Sequence, residues 1–364
     1  MAVSVEQTDI TQLSEIVLSL SEESQERFNT IFELSTTETE LNPGALVLSE
    51  EIRRQKLVRV RNRWDHKQVK FNSIRASRPQ QYNALDPTLD EIEERRGKDD
   101  FCNWQTRTPQ NVFGRAEGGF CVTAASIAQS ATHHAILVFK EHTPLIFPNQ
   151  EQFLNYLDVA YEWFLKAHDF DPTAVYPTFL WNKSFKGGAS VWYHGHGQLY
   201  LERGFHEGVM DEYLDVSDFY HRRNGRDYFQ DWFLAHQAIG LGIEKEGVKI
   251  FPSLTAVKER QIIMFAPEFN RSAQGMAYRA LRYFVEDMGV KAFNFCIMHP
   301  PLNSNIRSNG RSWEGIPVVI SMLDRGDPRI VHSDMGTSET LVETSIVAAD
   351  PFWVQAGLKV ALAA

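Results

Sequence analysis

Gly187-Gly188-Ala189-Ser190-Val191-Trp192-Tyr193-His194-Gly195-His196-Gly197-Gln198 sets two imidazoles and an amide on alternate residues, separated by glycines. In an extended chain successive side chains point to opposite faces. His194, His196 and Gln198 are therefore expected to share one face, with Gly195 and Gly197 leaving the other nearly bare. Bare backbone admits close approach by a ligand or a packed helix. A neutral imidazole attacks phosphorus competently when its second ring nitrogen donates to an acceptor that fixes the tautomer. His196 is the candidate nucleophile.

Working outward, two passes through one plan emerge. The first is a β-run at Ala135–Phe139, an amphipathic helix over Glu151–Ala167, a second β-run at Tyr176–Trp181, a glycine turn, and a strand from His194 to Leu201. The second is Gln261–Phe265, a helix over Ser272–Met288, Ala292–Met298, a polar loop and Ile316–Ser321. Strands joined by helices of this length, with hairpin-like returns, predict an α+β fold in which helices cover a mainly antiparallel sheet. Where the first pass has its histidines, the second has Ile316 and Val318, so one half is expected to be chemically active and the other supporting. Before both passes, Asp9–Leu34 has the apolar spacing of an amphipathic helix. Arg53–Arg63 reads as an exposed strand or helix edge, and Asp86–Asp100 as a charged surface helix or loop. The expected units are residues 1–66, a helical and charged extension; 67–215, the active unit; and 216–364, the degenerate one.

Composition narrows the function. The chain has 364 residues, 43% hydrophobic and 23% charged, which is ample for a large core. A net charge of −10 argues against broad nucleic-acid binding. Three scattered cysteines, Cys102, Cys121 and Cys296, build no disulfide framework and fit a reducing cytoplasm. Neither a signal peptide nor a bilayer-spanning run is seen in the sequence. Cys121 and Cys296 lie in apolar β-runs and read as inert core thiols. His133, His134, His168, His221, His236 and His332 read as surface or satisfied core histidines, and Glu207, Asp211 and Glu212 as carboxylates at a helix start.

The His194-Gly195-His196-Gly197-Gln198 string, preceded by Asn182-Lys183 and Gly188-Ala189-Ser190, resembles the active-site motif of galactose-1-phosphate uridylyltransferases and their histidine-triad relatives. Phe71–Pro79 is similar to that family's arginine-proline element and Phe139-Lys140-Glu141-His142 to its strand-end histidine. The two passes resemble its tandem histidine-triad units. The resemblance implies exchange of a nucleoside monophosphate between phosphate-bearing, sugar-phosphate-like partners through a covalent nucleotidyl-His196. Gln198 and His194 would assist, and Arg75, Arg78, Asn182, Lys183, Lys186 and Ser190 would bind phosphate. It also implies a homodimer. No cofactor is required for this chemistry.

The family's zinc ligands match Asp99, Cys102, His142 and His194, with a carboxylate in place of one thiolate, so structural zinc is a possible addition. A second metal site has no His-x-His here, since His299 stands alone. One extra residue separates Ser190 from His194, and the bulky Trp192-Tyr193 pair is expected to reshape the pocket wall. Gly336–Glu339 only loosely echoes the family's sugar-contacting element, so galactose is not expected. Two alternatives remain open: a dinucleoside polyphosphate phosphorylase or hydrolase using the same His196, and a nucleotide-binding protein without catalysis.

Overall fold

The structure, a computed structural model, describes residues 8–42, 44, 47–72, 74, 89–142, 147–303, 305–330 and 335–363. Helices α1 (Leu13–Ser19) and α2 (Glu22–Ile31) precede strands β1 (Phe32–Glu40) and β2 (Arg54–Asn62), with α3 (Glu50–Arg53) between them, then β3 (Gln68–Phe71), α4 (Leu89–Arg95) and α5 (Trp104–Arg107). The first unit runs β4 (Cys121–Ala125), β5 (His133–Phe139), α6 (Gln150–Phe170), β6 (Ala174–Lys183) and β7 (His196–Arg203). Helices α7 (Gly208–Asn224) and α8 (Tyr228–Ala238) lead to β8 (Ile243–Lys245), β9 (Val248–Pro252), β10 (Ile262–Ala266), α9 (Arg271–Arg282) and β11 (Ala292–Met298). A two-residue hairpin, β12 (Arg307–Ser308) and β13 (Arg311–Ser312), precedes β14 (Val318–Gly326), α10 (Thr337–Thr340), β15 (Thr344–Val347) and α11 (Pro351–Ala363).

The duplicated plan is visible in the strand order. The nine-stranded sheet reads β4-β5-β7-β6-β11-β14-β10-β9-β8, antiparallel at every pairing. Reading outward from the β6–β11 seam, each half gives a strand, its partner and then two more strands, and the second half adds β8 at its edge. Val318 opens β14 as His196 opens β7.

One face of this sheet is dry. Helix α6 starts at an Asn149 cap, whose side chain and that of Gln152 satisfy each other's backbone N–H. It then presents Phe153, Tyr156, Leu157, Ala160, Trp163, Phe164 and Ala167 at helical spacing onto Leu137, Phe179, Leu199 and Phe295. Residues of α9 and α11 extend the same core over the second unit. On the other face α7, α8 and the amino-terminal elements cover the second unit, where Phe251, Ile263, Phe265 and Val319 join Trp232, Phe233 and Phe28, and reach Tyr176 of β6. Over the first unit, Ile136, Gln198 and Tyr200 remain half-exposed on that face.

Two amino-terminal expectations change. The helix expected over Asp9–Leu34 divides at Ser21, whose hydroxyl accepts from the Ser24 N–H to cap α2, and the helical run ends before Phe32 begins β1. The Arg53–Arg63 stretch is no edge: β2 lies inside a four-stranded sheet, order β1-β2-β3-β15, with Val58 and Val60 buried and Arg54 and Arg59 turned outward. The expected boundary at residue 66 falls between β2 and β3, which pair with each other.

Gly197 is required where it stands. A Cβ there would lie 2.9 Å from both the Leu180 carbonyl oxygen and the Tyr156 hydroxyl, whereas at Gly195 it would meet only the edge of the Phe139 ring at 3.0 Å. Backbone on β6 cannot yield as a ring can. The overpacking cost of about 3 kcal/mol exceeds the roughly 1 kcal/mol that Gly→Ala gains through the unfolded chain. Gly197→Ala is therefore expected to lower stability by about 2 kcal/mol, read as a fall in the urea midpoint, with Gly195→Ala milder.

Candidate functional site

His196 opens β7 at the mouth of a cleft enclosing about 780 Å³ of empty space, part of it open solvent. The cleft is built at one end of β5, β6 and β7, walled by Phe139, Trp181, Asn182, Lys183, Trp192 and Gly195. His196 is 8% exposed. Its Nδ1 lies 2.9 Å from the His194 carbonyl oxygen. A carbonyl only accepts, so Nδ1 carries the proton and Nε2 keeps its lone pair. Burial pulls the His196 pKa below its ordinary value, the bond to the His194 carbonyl opposes this, and the net shift is downward. The ring is thus neutral and tautomerically fixed, which is what nucleophilic attack needs. The Phe101 ring lies 5.4 Å away and helps enclose it.

His194 does not share that face. It sits in a bend just before β7, and its side chain turns to Asp99, Cys102 and His142. The ligating atoms of these four residues all lie within 4.8 Å of one another. His142 Nε2 donates to the Ile92 carbonyl at 2.8 Å and His194 Nε2 to the Phe139 carbonyl at 2.7 Å. Those bonds place both Nε2 protons, leaving two Nδ1 lone pairs 3.2 Å apart. Asp99 Oδ2 is 3.0 Å from one and Oδ1 3.1 Å from the other. Cys102 Sγ lies 3.4 Å from His142 Nδ1, 3.8 Å from His194 Nδ1 and 3.1 Å from Asp99 Oδ2. Facing lone pairs beside a carboxylate and a thiol repel unless a cation or proton lies among them. A tetrahedral ion with bonds of about 2.0–2.3 Å has ligand separations of roughly 3.3–3.8 Å, so the donor set suits zinc in chemistry and size. The carbonyl acceptors on both imidazoles are the outer support such ligands use.

Gln198 is held in one orientation. His134 Nδ1 accepts from the Ser130 N–H at 3.1 Å, so its Nε2 is the protonated nitrogen and donates to Gln198 Oε1, also at 3.1 Å. The Tyr200 hydroxyl donates to the same oxygen at 2.9 Å. With Oε1 doubly engaged, the free end of the amide is its NH₂, a donor without charge. His134 is a satisfied core histidine, as expected, and its second bond fixes the Gln198 amide. The β5–β7 pairing sets His134 opposite Tyr200, two residues on from Gln198.

The phosphate-binding candidates divide. Asn182 and Lys183 line the cleft. Asn182 Oδ1 accepts from Asn294, which also donates to the Gly187 carbonyl. Burial pulls the Lys183 ammonium down to about 8. Lys186 lies outside the cleft wall and donates to the carbonyls of Asp327 and Ile330, tying the glycine turn to the second unit. Ser190 is exposed and absent from the wall. Arg75, Arg78 and His332 fall outside the described residues. The aromatic pair separates: Trp192 lines the cleft, while Tyr193 stacks beneath Arg95 at 4.4 Å.

No protein-family model matches the chain, and no curated protein does. Solved structures do. An ADP-glucose phosphorylase from Arabidopsis thaliana with bound ADP-glucose superposes with a TM-score of 0.57 at 12% identity, covering 80% of this chain and 94% of that one. A GalT-like protein from the same plant gives 0.55 at 11% identity, covering 72% and 91%. A uridylyltransferase gives 0.54 at 14% identity, covering 70% and 88%. The protein shares the fold of these three structures, and its sheet repeats one strand plan twice. Among the described residues no helix is long and apolar enough to cross a membrane.

Proposed function

We propose that this protein is a nucleotidyltransferase that carries a nucleoside monophosphate on His196 between two phosphate-bearing partners. The observation that carries the reading is the His196 ring, with Nδ1–H donating to the His194 carbonyl and Nε2 free at a cleft. In the first step the Nε2 lone pair attacks the α-phosphorus of a nucleoside diphosphate sugar. The P–N bond forms, the bridging P–O bond breaks, and a sugar phosphate leaves. The Nδ1–H remains in place, and its bond to the His194 carbonyl strengthens as the ring gains positive charge. In the second step an acceptor phosphate oxygen attacks phosphorus and the P–N bond breaks. Lys183 and the Gln198 NH₂ are the donors proposed for the phosphoryl oxygens.

Asp99, Cys102, His142 and His194 would hold zinc, which supplies a rigid clamp rather than a reacting centre. Fixing the His194 side chain also fixes the carbonyl that orients His196. One zinc per chain is expected by elemental analysis. Cys102→Ser should weaken zinc by more than the roughly 10–100-fold that loss of an outer-shell partner costs, measured by chelator competition.

Transfer to inorganic phosphate, rather than to a sugar phosphate, is the second reading, suggested by the neighbour described as an ADP-glucose phosphorylase. Incubation with labelled nucleoside diphosphate sugars and dinucleoside polyphosphates distinguishes them. The proposal expects acid-labile, base-stable label on the protein, discharged by a sugar phosphate. Discharge by inorganic phosphate alone selects the second reading, and absence of protein-bound label during turnover contradicts both.

A further inference from the structure

Among the described residues a second cavity is larger than the His196 cleft. It lies on the other side of β6, between the central strands and α7 and α8, and encloses about 1000 Å³ of empty space, part of it open solvent. Pockets of this scale hold small molecules. Leu180, Cys296, Ser321 and Leu323 line it from β6, β11 and β14 and keep partial exposure although each lies in the middle of a nine-stranded sheet. That exposure opens into the cavity.

The wall includes two polar groups whose hydrogens have no acceptor. Thr178 and Trp232 line the cavity at 2% and 1% exposure, and neither Thr178 Oγ1 nor Trp232 Nε1 has a hydrogen-bond partner. Ser321 Oγ accepts from Gln261 Nε2 at 2.9 Å, which leaves its own hydrogen to donate. Two of the wall's acceptors are already in use: Gln261 Oε1 takes the Val257 N–H and Ser253 Oγ the Thr255 N–H. A buried donor without an acceptor costs free energy, and a ligand acceptor in the adjoining cavity would recover it once a small side-chain turn brings the Thr178 hydroxyl to the cavity surface.

Charge at the rim excludes an anion. Among the described residues Lys67 is the one cation on the wall, and it is neutralised by Glu212 at 2.5 Å, with Asp65 at 3.6 Å; Glu207 adds a carboxylate. The remaining wall, including Val209, Tyr213, Met298 and Val319, is apolar or aromatic.

We propose that this cavity is a second small-molecule site, separate from the His196 cleft, that takes an uncharged, mainly apolar ring compound bearing carbonyl-type acceptors. Solvent does not reach Thr178 Oγ1 or Trp232 Nε1 with the side chains as they stand, so the ligand's acceptor engages Ser321 first and Thr178 turns to meet it. The inference stands whether or not His196 transfers nucleotides.

Coumarin and 2-quinolone are suitable probes, with coumarin-3-carboxylate as the charged counterpart, followed by saturation-transfer NMR and by crystal soaking of the full chain. Saturable binding of the two neutral probes is expected, at least tenfold weaker for the carboxylate. Thr178→Val keeps the shape, removes the orphaned hydroxyl and should raise the melting temperature of the free protein while weakening both neutral probes several-fold. Val319→Trp fills the cavity and should abolish binding; should it fail to fold, Thr178→Val still decides. Nucleotide-dependent label on His196 should be unchanged in Thr178→Val. Ordered water alone in the cavity, closure by the chain's own side chains, or equal binding of neutral and anionic probes to both proteins overturns the proposal.

Discussion

His196→Gly is expected to lower nucleotide transfer on the order of 10⁴- to 10⁶-fold, the scale seen when a covalent nucleophile is removed from an otherwise intact site. The fold should survive, because the ring lies at the cleft and β7 keeps its pairings with β5 and β6. Substrate binding should survive as well, since Lys183, Asn182 and Gln198 are untouched. Added imidazole should restore part of the turnover by occupying the vacated space and attacking phosphorus itself. A nucleotide-binding protein without catalysis would show unchanged affinity and nothing to rescue. The acid limb of activity gives a second signature. Burial depresses the His196 pKa, so activity should persist below the ordinary histidine value and fall only as the ring finally protonates.

Acid should unfold the protein well before its carboxylates protonate, because three histidines are built in as neutral rings. His236 Nδ1 donates to the Trp232 carbonyl and its Nε2 accepts from the Leu254 N–H. His206 Nε2 donates to the His299 carbonyl and its Nδ1 accepts from the Glu207 N–H. A proton can be added to either ring only by breaking a buried bond. Burial accordingly pulls His206 down to about 4 and His236 to about 3, and burial with the neighbouring His206 pulls His299 to about 3, from 6.5. With folded values depressed, the unfolded chain binds protons more readily. The stabilising term is complete above pH 6.5 and is lost as pH falls toward 4 to 3. At pH 5 the three together cost about 6 kcal/mol, on the order of a whole domain's stability. Urea midpoints measured from pH 7.5 to 5 test this, and His236→Gln should flatten the profile by roughly a third. A midpoint constant over that range contradicts the neutral-ring assignment.

Much of the architecture was legible because each repeat declares itself twice. Apolar runs at Ala135–Phe139 and Gln261–Phe265, each followed by an amphipathic helix, became β5 and β10 with α6 and α9 behind them. Alternation failed at one residue. His194 was placed on the strand with His196, yet the ring is drawn aside by Asp99, Cys102 and His142, contacts that span 52 to 95 positions in sequence. The resemblance to a known motif supplied those four residues; periodicity could not. Arg53–Arg63 misled because charged side chains on the outward face of an interior strand look like an edge until the flanking strands are known. The hold of His134 on Gln198 was illegible for a related reason, since it depends on β5–β7 register and on a backbone N–H from Ser130. The donor-rich cavity was beyond reach of the sequence, because Thr178, Trp232 and Ser321 come from three separate elements.

Intact and fragment mass spectrometry after brief mixing with nucleoside diphosphate sugars, at neutral pH and without acid quench, tests the central claim most directly. One added nucleoside monophosphate, localised to His196 and missing in His196→Gly, is the predicted result. Turnover that proceeds with no adduct, or with the nucleotide attached to a different residue, would contradict it.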